Sequence, residues 1–268
     1  MTFYIYNPLT RNETGSDLIA KYPLKTFYDC TDNSVMNNLK EKLSKDDIIY
    51  IIGGDGTIHY LLNNYNYLFN HKIKYFRNGS GNDFYRSLDT DNSYYYSINN
   101  KANFINSFGI GFDALVCYKV NQQKKKSKFS YIIQCYKSLK EYQSIDLDII
   151  YNGKEYSYKN IWLCSLQNGK YFGGGINIAR HARIDESDID LCIGHNLNRL
   201  TVLILLLFVK LGLTHLFKKY FFTVKVKDLI IKNDKKLLAQ LDGDTMYFED
   251  NIELSANKKI EIVKSLVL

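Results

Sequence analysis

The chain has 268 residues, enough for one large domain or two smaller ones, and its 46% hydrophobic and 24% charged residues give the balance of a soluble globular protein. A net charge of +7 suits an anionic partner such as a nucleotide or a membrane surface, but the excess is too small to argue for nucleic acid. The five cysteines (Cys30, Cys117, Cys135, Cys164, Cys192) contain no Cys-x-x-Cys pair, and the five histidines have no ligand spacing. That excludes a zinc site or a disulfide framework and reads as reduced core thiols of a cytosolic protein. The opening MTFYIYNPLTRN carries no basic-then-apolar leader, so secretion is not expected.

In chain order, TFYIYN predicts a first strand ended by the turn NPLTRNETG, and LKTFYDCT a second, followed by a helix through SVMNNLKEKL. DIIYII is a third strand whose continuous apolar character suits a parallel strand covered on both faces. After it, Ile58, Leu61, Leu62, Tyr65 and Phe69 recur at helical spacing. KIKYF predicts a fourth strand, and RNGSGND turns into a helix at DFYRSL. Strands alternating with helices argue an open, mainly parallel α/β sheet up to about residue 95.

Beyond it the pattern changes to short alternating strands. Asn152-Gly153 lies between two such runs, the strongest short hairpin signal, and FTVKVKDLIIKN, LLAQLDGD, IELSA and KIEIVKSLVL continue in that style. An antiparallel β-sandwich-like second half is expected, with helical insertions around 115–142 and 198–218. The expected division is 1–95, with 258–268 returning to it, and 96–257. In LTVLILLLFVKLGLTHLF, Lys210 interrupts the apolar run, which is short of the roughly 20 residues of a membrane span. A buried or interfacial helix is expected there.

Two loops have the composition of a phosphate site. GGDGT, Gly53 to Thr57, ends a buried strand and opens a helix; its glycines let backbone N–H groups approach a ligand, and the helix N-terminus adds positive potential. Asp55 then either holds Mg²⁺, or orients the group that accepts phosphate, or, with Thr57, simply caps the helix. NGSGNDF, Asn78 to Phe84, repeats the same logic after the next strand, with Ser80 and Asn82 as hydrogen-bonding groups and Asp83 as a second carboxylate. Both loops emerge at the carboxyl edge of a parallel sheet, where ligands bind.

With these residues in view, the chain resembles the diacylglycerol kinase catalytic-domain family, which includes sphingosine kinases and bacterial lipid kinases. The resemblance runs nearly end to end, through Asn7-Pro8, GGDGT, GSGNDF, FINSFGIGFDALV, NGKYFGGGINIARHARIDES and LDGD. GGDGT alone also occurs in NAD kinases. The resemblance implies transfer of the ATP γ-phosphoryl group to a lipid hydroxyl with Mg²⁺, in a cleft between a nucleotide-binding α/β domain and a β-sandwich-like domain.

Carried over by position, the nucleotide contacts are Asn7, Thr31, Gly53, Gly54, Asp55, Gly56, Thr57, Ile58, His59 and Ser80. Asp55, Asp83 and Asp113 match an acidic network, and Asp244 matches the catalytic position, where a carboxylate takes the lipid hydroxyl's proton. Glu186, Ile189 and Leu191 match a structural Mg²⁺ site, in part through backbone carbonyls. The chain departs from the family at Tyr60 (usually Glu), Asp244 (usually Glu), Arg180 (usually Pro) and Glu186-Ser187 (usually Asp-Gly).

The basic run NQQKKKSKF (121–129) reads either as a solvated face or as an attraction to anionic headgroups, worth about 1 kcal/mol per Lys near a surface. A cytoplasmic, peripherally membrane-associated lipid kinase is the leading expectation, and a homodimer is compatible with it. A soluble-substrate kinase of NAD-kinase type, which shares GGDGT but not GSGNDF, and an inactive nucleotide- or lipid-binding homologue, suggested by Tyr60 and Asp244, are the alternatives.

Overall fold

The computed structural model describes residues 1–10, 14–79, 81–123, 128–211 and 218–268. The first part alternates strand and helix: β1 Thr2–Tyr6, α1 Gly15–Lys21, β2 Phe27–Asp29, α2 Asn33–Lys42, β3 Ile48–Gly53, α3 Asp55–Asn64, β4 Lys72–Arg77 and α4 Asp83–Ser87. β3 buries Ile49, Ile51 and Ile52, as a strand covered on both faces should. α3 turns Ile58, Leu61 and Leu62 into the same core.

One helix goes beyond the sequence expectation. The stretch after NPLTRNETG forms α1, because Thr14 and Asp17 make a reciprocal capping box at its start.

The chain continues through β5 Asn92–Ile98 and β6 Ala102–Phe104, then β7 Ser107–Gly111, α5 Phe112–Asn121, α6 Lys128–Glu141, β8 Ile145–Tyr151 and β9 Lys154–Gln167. β10 Tyr171–Phe172, β11 Ile176–Asn177, β12 Ile189–His195, α7 Arg199–Leu211, β13 Phe221–Val226, β14 Leu229–Lys232, β15 Leu237–Leu241, β16 Asp244–Phe248 and β17 Ile252–Ser265 complete it. α5 begins earlier than the expected 115 because Gly111, at φ +117°, turns the chain straight from strand into helix.

The parallel sheet has the order β2-β1-β3-β4-β17, with every one of these neighbours parallel. The antiparallel sheet runs β16-β15-β7-β9-β8-β14-β17, and β12 with β13 joins it at β9. β17 belongs to both: Ile252 and Glu253 pair with β14, and Ile262–Ser265 pair with β4. The two hairpins β8–β9 and β15–β16 turn on Asn152-Gly153 and Asp242-Gly243, all four residues at positive φ, as a two-residue turn of this hand requires.

The parallel sheet and the antiparallel sheet each bury their own apolar cluster, and a third lies between α5, α6 and α7 and the strands β9 and β12. On α7, Val202 and Leu205 are buried in that third cluster while Leu200, Leu203 and Ile204 are exposed. Among the described residues no helix is long and apolar enough to cross a membrane. All five cysteines are free.

Candidate active site

Because β1, β2, β3 and β4 run parallel, Asn7, Thr31, Gly53 and Asn78 all leave the sheet at one edge. Asn7 follows β1, where the chain first turns to β2 on one side and later returns to β3 on the other. There Asn7 Nδ2 donates to Thr57 Oγ1 at 3.1 Å, so the switch point of the sheet is closed by two of the expected nucleotide residues. Thr31 is exposed, and its hydroxyl and backbone N–H both donate to Asp29 Oδ1 at 2.7 Å.

The two glycine loops touch backbone to backbone. The Gly53 carbonyl accepts from Asn78 N at 2.7 Å, and the Gly81 carbonyl from Asp55 N at 3.2 Å. A Cβ on Gly79 would sit 2.5 Å from Gly54 Cα, and one on Gly54 would sit 3.0 Å from the Gly81 carbonyl oxygen. These two glycines are therefore needed for contact between the loops. Gly56, by contrast, is exposed, and a Cβ there would meet nothing within 4 Å, so the open face of the cradle lies at the first turn of α3. Ile58 points into the core, and Ser80 lies outside the described residues.

Asp55 does not cap its own helix, whose N-cap is Gly54. It caps α4 instead: Asp55 Oδ2 accepts from Asp83 N, and Tyr75 OH lies 3.4 Å from Oδ1. Burial, and then the charge of Asp83, push the Asp55 carboxyl up to about 7. Asp83 is buried, and its Oδ2 accepts from Gly174 N at 2.7 Å; burial raises its carboxyl too. Two of the three carboxylates of the expected acidic network, Asp55 and Asp83, thus each fasten the next loop.

Asp113 lies apart from that pair. It is buried at the start of α5; Oδ2 accepts from Gln240 Nε2 at 3.3 Å, and Oδ1 has no hydrogen-bond partner. Burial pushes it up to about 6. With Phe112, Val116, Trp162, Phe172, Val202 and Leu205 it lines an apolar cavity of about 80 Å³. Gln240 Oε1 in turn accepts from Gly243 N at 3.0 Å, which links the cavity to the β15–β16 turn.

That turn brings Asp244 to α3. His59 Nε2 lies 3.6 Å from Asp244 Oδ2, and Asp244 is largely exposed. Asp242, a residue the sequence reading treats only as part of a turn, contacts the other side of the ring: His59 Nδ1 lies 3.0 Å from its Oδ2. Ile105 N donates to the same oxygen at 2.8 Å, and Asn106 N and Ser107 N donate to Oδ1 at 2.8 and 2.9 Å. The sequence signal was the Asp-Gly pair itself; nothing in it shows that the side chain reaches α3.

The residues matched to a structural Mg²⁺ site do not fit one. Lys225 Nζ lies 2.6 Å from Glu186 Oε2 and 3.6 Å from Asp190 Oδ2, and Arg183 Nε lies 3.2 Å from Glu186 Oε1. An ammonium already stands among these carboxylates. Ile189 and Leu191 have buried side chains, and β12 is paired with β13 on one side and β9 on the other. Among the described residues no cluster of His, Cys, Asp or Glu is placed to hold a metal ion. Mg²⁺ and EDTA should therefore leave the melting temperature of the nucleotide-free protein unchanged. Lys225→Met should destabilise it by about 1–3 kcal/mol, since buried Asp190 loses its partner. A wild-type melting temperature that rises with Mg²⁺ would return a metal to this loop.

Residues 106–248 match the family model of the YegS C-terminal NAD kinase beta sandwich-like domain, and residues 15–104 match that of the diacylglycerol kinase catalytic domain. The chain belongs to the diacylglycerol kinase catalytic-domain family. Its fold resembles that of a diacylglycerol kinase from Bacillus anthracis str. Sterne, with a TM-score of 0.67 at 16% identity over 99% of this chain and 97% of that one. A second chain of that organism, provisionally given the same name, reaches a TM-score of 0.70 at 17% identity over the same shares. No curated protein sequence matches the chain. Membership of this family makes the protein kinase-like, with the nucleotide-binding loops of phosphotransferases of the lipid-kinase and NAD-kinase type.

Proposed function

We propose that the protein transfers the γ-phosphoryl group of MgATP to the hydroxyl of a membrane lipid such as diacylglycerol. The observation that carries the lipid reading is the cavity beneath α7, an apolar pocket walled by Phe112, Val116, Trp162, Val202 and Leu205, with Asp113 among its lining residues. An acyl chain matches such a lining, packing against Phe112, Val116 and Trp162. At about 30 Å³ for a water-sized group, the cavity holds the first few carbons of a chain, so the remainder must displace or cross α7.

The reaction needs positioning and charge stabilisation more than covalent chemistry. The positive end of α3, open at Gly56, would face the phosphates, with Asn7 Nδ2 held on Thr57 Oγ1 beside it. Mg²⁺ bound with the nucleotide would supply charge neutralisation at the transferring group. Asp244, which comes from the other sheet to within 3.6 Å of His59 Nε2, is the carboxylate we assign to the attacking hydroxyl.

Docking at a membrane surface is part of this reading, supported by the exposed Leu200, Leu203 and Ile204 on α7, the exposed Ile133 and Tyr136 on α6, and the net charge of +7. Of the basic run, Lys124, Lys125 and Lys126 lie outside the described residues, as does the side chain of Lys128.

Val116→Phe tests the reading by placing a ring in the cavity. Lipid phosphorylation should fall at least tenfold, while ATP affinity by calorimetry and the melting temperature hold, since filling a cavity does not destabilise a core that has room. Unchanged lipid turnover in a folded Val116→Phe protein would remove the cavity from the substrate site.

A further inference from the structure

Asp242 is a carboxylate with nothing left to give. Its two oxygens accept from three consecutive backbone N–H groups, Ile105, Asn106 and Ser107, and from the His59 ring, and its side chain is 1% exposed. It holds φ +50° at the hairpin turn, and that geometry aims the side chain back into the fold. All its acceptor positions are used, so Asp242 has no lone pair for a substrate. Its bond to Nδ1 requires the proton of the neutral imidazole to sit on Nδ1, which leaves the Nε2 lone pair facing outward.

Nε2 is not taken up by its own helix. Asn63 Nδ2 approaches it at 3.4 Å, but the two N–H groups of that amide donate to the carbonyls of His59 and Asn103, both at 3.0 Å. What Nε2 faces is Asp244 Oδ2 at 3.6 Å. The charged groups acting on the ring are Asp242 and Asp244, both from the β15–β16 turn. Burial depresses the basicity of the imidazole, but the hydrogen bond and charge of Asp242, with the charge of Asp244, outweigh it and hold the ring above its ordinary value.

We propose that His59 is the proton acceptor behind Asp244 and that Asp242 is its positioning residue. The inference rests on the phosphotransfer reading above and deepens it. As the lipid hydroxyl oxygen bonds to the γ-phosphorus, the bond to the bridging oxygen breaks and its electron pair leaves with ADP. The hydroxyl proton passes to the Asp244 carboxylate and from there to His59 Nε2. The resulting imidazolium lies between two carboxylates, and the proton returns through exposed Asp244 to solvent after product leaves. A carboxylate is a weak base at neutral pH, whereas an imidazole is matched to it, so the relay supplies a proton sink that a shortened Asp lacks alone. His59 thus takes the orienting carboxylate on one nitrogen and the proton on the other.

The test has two arms. In the wild-type protein, nitrogen NMR of the His59 ring should show the proton on Nδ1 in the neutral form and a titration above the ordinary imidazole value of about 6.5. In kinetics, the wild-type kcat/KM for lipid should fall as pH drops through that same titration. His59→Gln, which keeps a donor toward Asp242, should lose that acidic limb and lower kcat roughly 10²-fold. A proton on Nε2 in the wild type, or a folded Gln variant with the wild-type pH profile, overturns the relay. Absence of phosphoryl transfer in the wild type overturns the functional reading and the relay together, whereas transfer with an unchanged variant profile overturns the relay alone.

Discussion

Gly79→Ala should cost about 3 kcal/mol of stability and weaken nucleotide binding by an order of magnitude or more. The added methyl would lie 2.5 Å from Gly54 Cα and 2.7 Å from Gly54 N, and neither is a flexible side-chain end that can move aside. Overpacking against backbone forces the two loops apart, and strain of this kind typically costs 1–3 kcal/mol or more. At roughly 2–4 °C per kcal/mol for a chain of this size, the melting temperature should drop by about 6–12 °C. Gly56→Ala is the control in the same loop. It has open space and a helical position that alanine favours by about 1 kcal/mol, so stability should hold or rise. Equal melting temperatures for wild type and Gly79→Ala would show that the loops are not in contact.

Removing the Asp55 carboxylate should be nearly as severe for activity. Asp55→Ala strips α4 of the acceptor for Asp83 N, at a cost of about 2 kcal/mol, and frees the second loop to drift. Displacement by 1 Å costs phosphotransfer on the order of 10²-fold, so activity should fall at least that far. Asp55→Asn separates charge from hydrogen bonding. The folded-state carboxyl is raised to about 7, above its unfolded value near 4, so this group favours folding at low pH and that contribution is lost as pH rises through about 7. The stability of Asp55→Asn relative to wild type should therefore improve from pH 5 to pH 8. A difference that stays flat over this range would mean that Asp55 is solvated and uncoupled from Asp83.

Local features of the chain made much of this readable. The run of isoleucines in β3, the apolar spacing of α3 and the Asn152-Gly153 hairpin each specify an element by themselves, and the two glycine loops follow from where parallel strands end. α1 was also written locally, in the Thr14–Asp17 capping box, but lay hidden inside a stretch rich in turn residues. What could not be read is non-local. Asp55 looks like a cap for the helix it begins, and only the packing of α4 beside it shows which N–H groups it accepts. Asp242 and His59 are 183 positions apart, and an Asp-Gly turn gives no sign that its first side chain folds back onto α3. Lys225, the cation among Glu186 and Asp190, is likewise brought there by the β12–β13 ladder, with no motif to announce it.

The central claim is that the acceptor is a lipid hydroxyl, and a single labelling experiment addresses it. The protein is incubated with radiolabelled MgATP and either diacylglycerol in mixed micelles or NAD in solution, and the products are separated. Label should appear in the lipid and not in NAD, and lipid label should fall at least tenfold in Val116→Phe. Label on NAD, or a wild-type protein that binds ATP yet labels no lipid, would contradict the account.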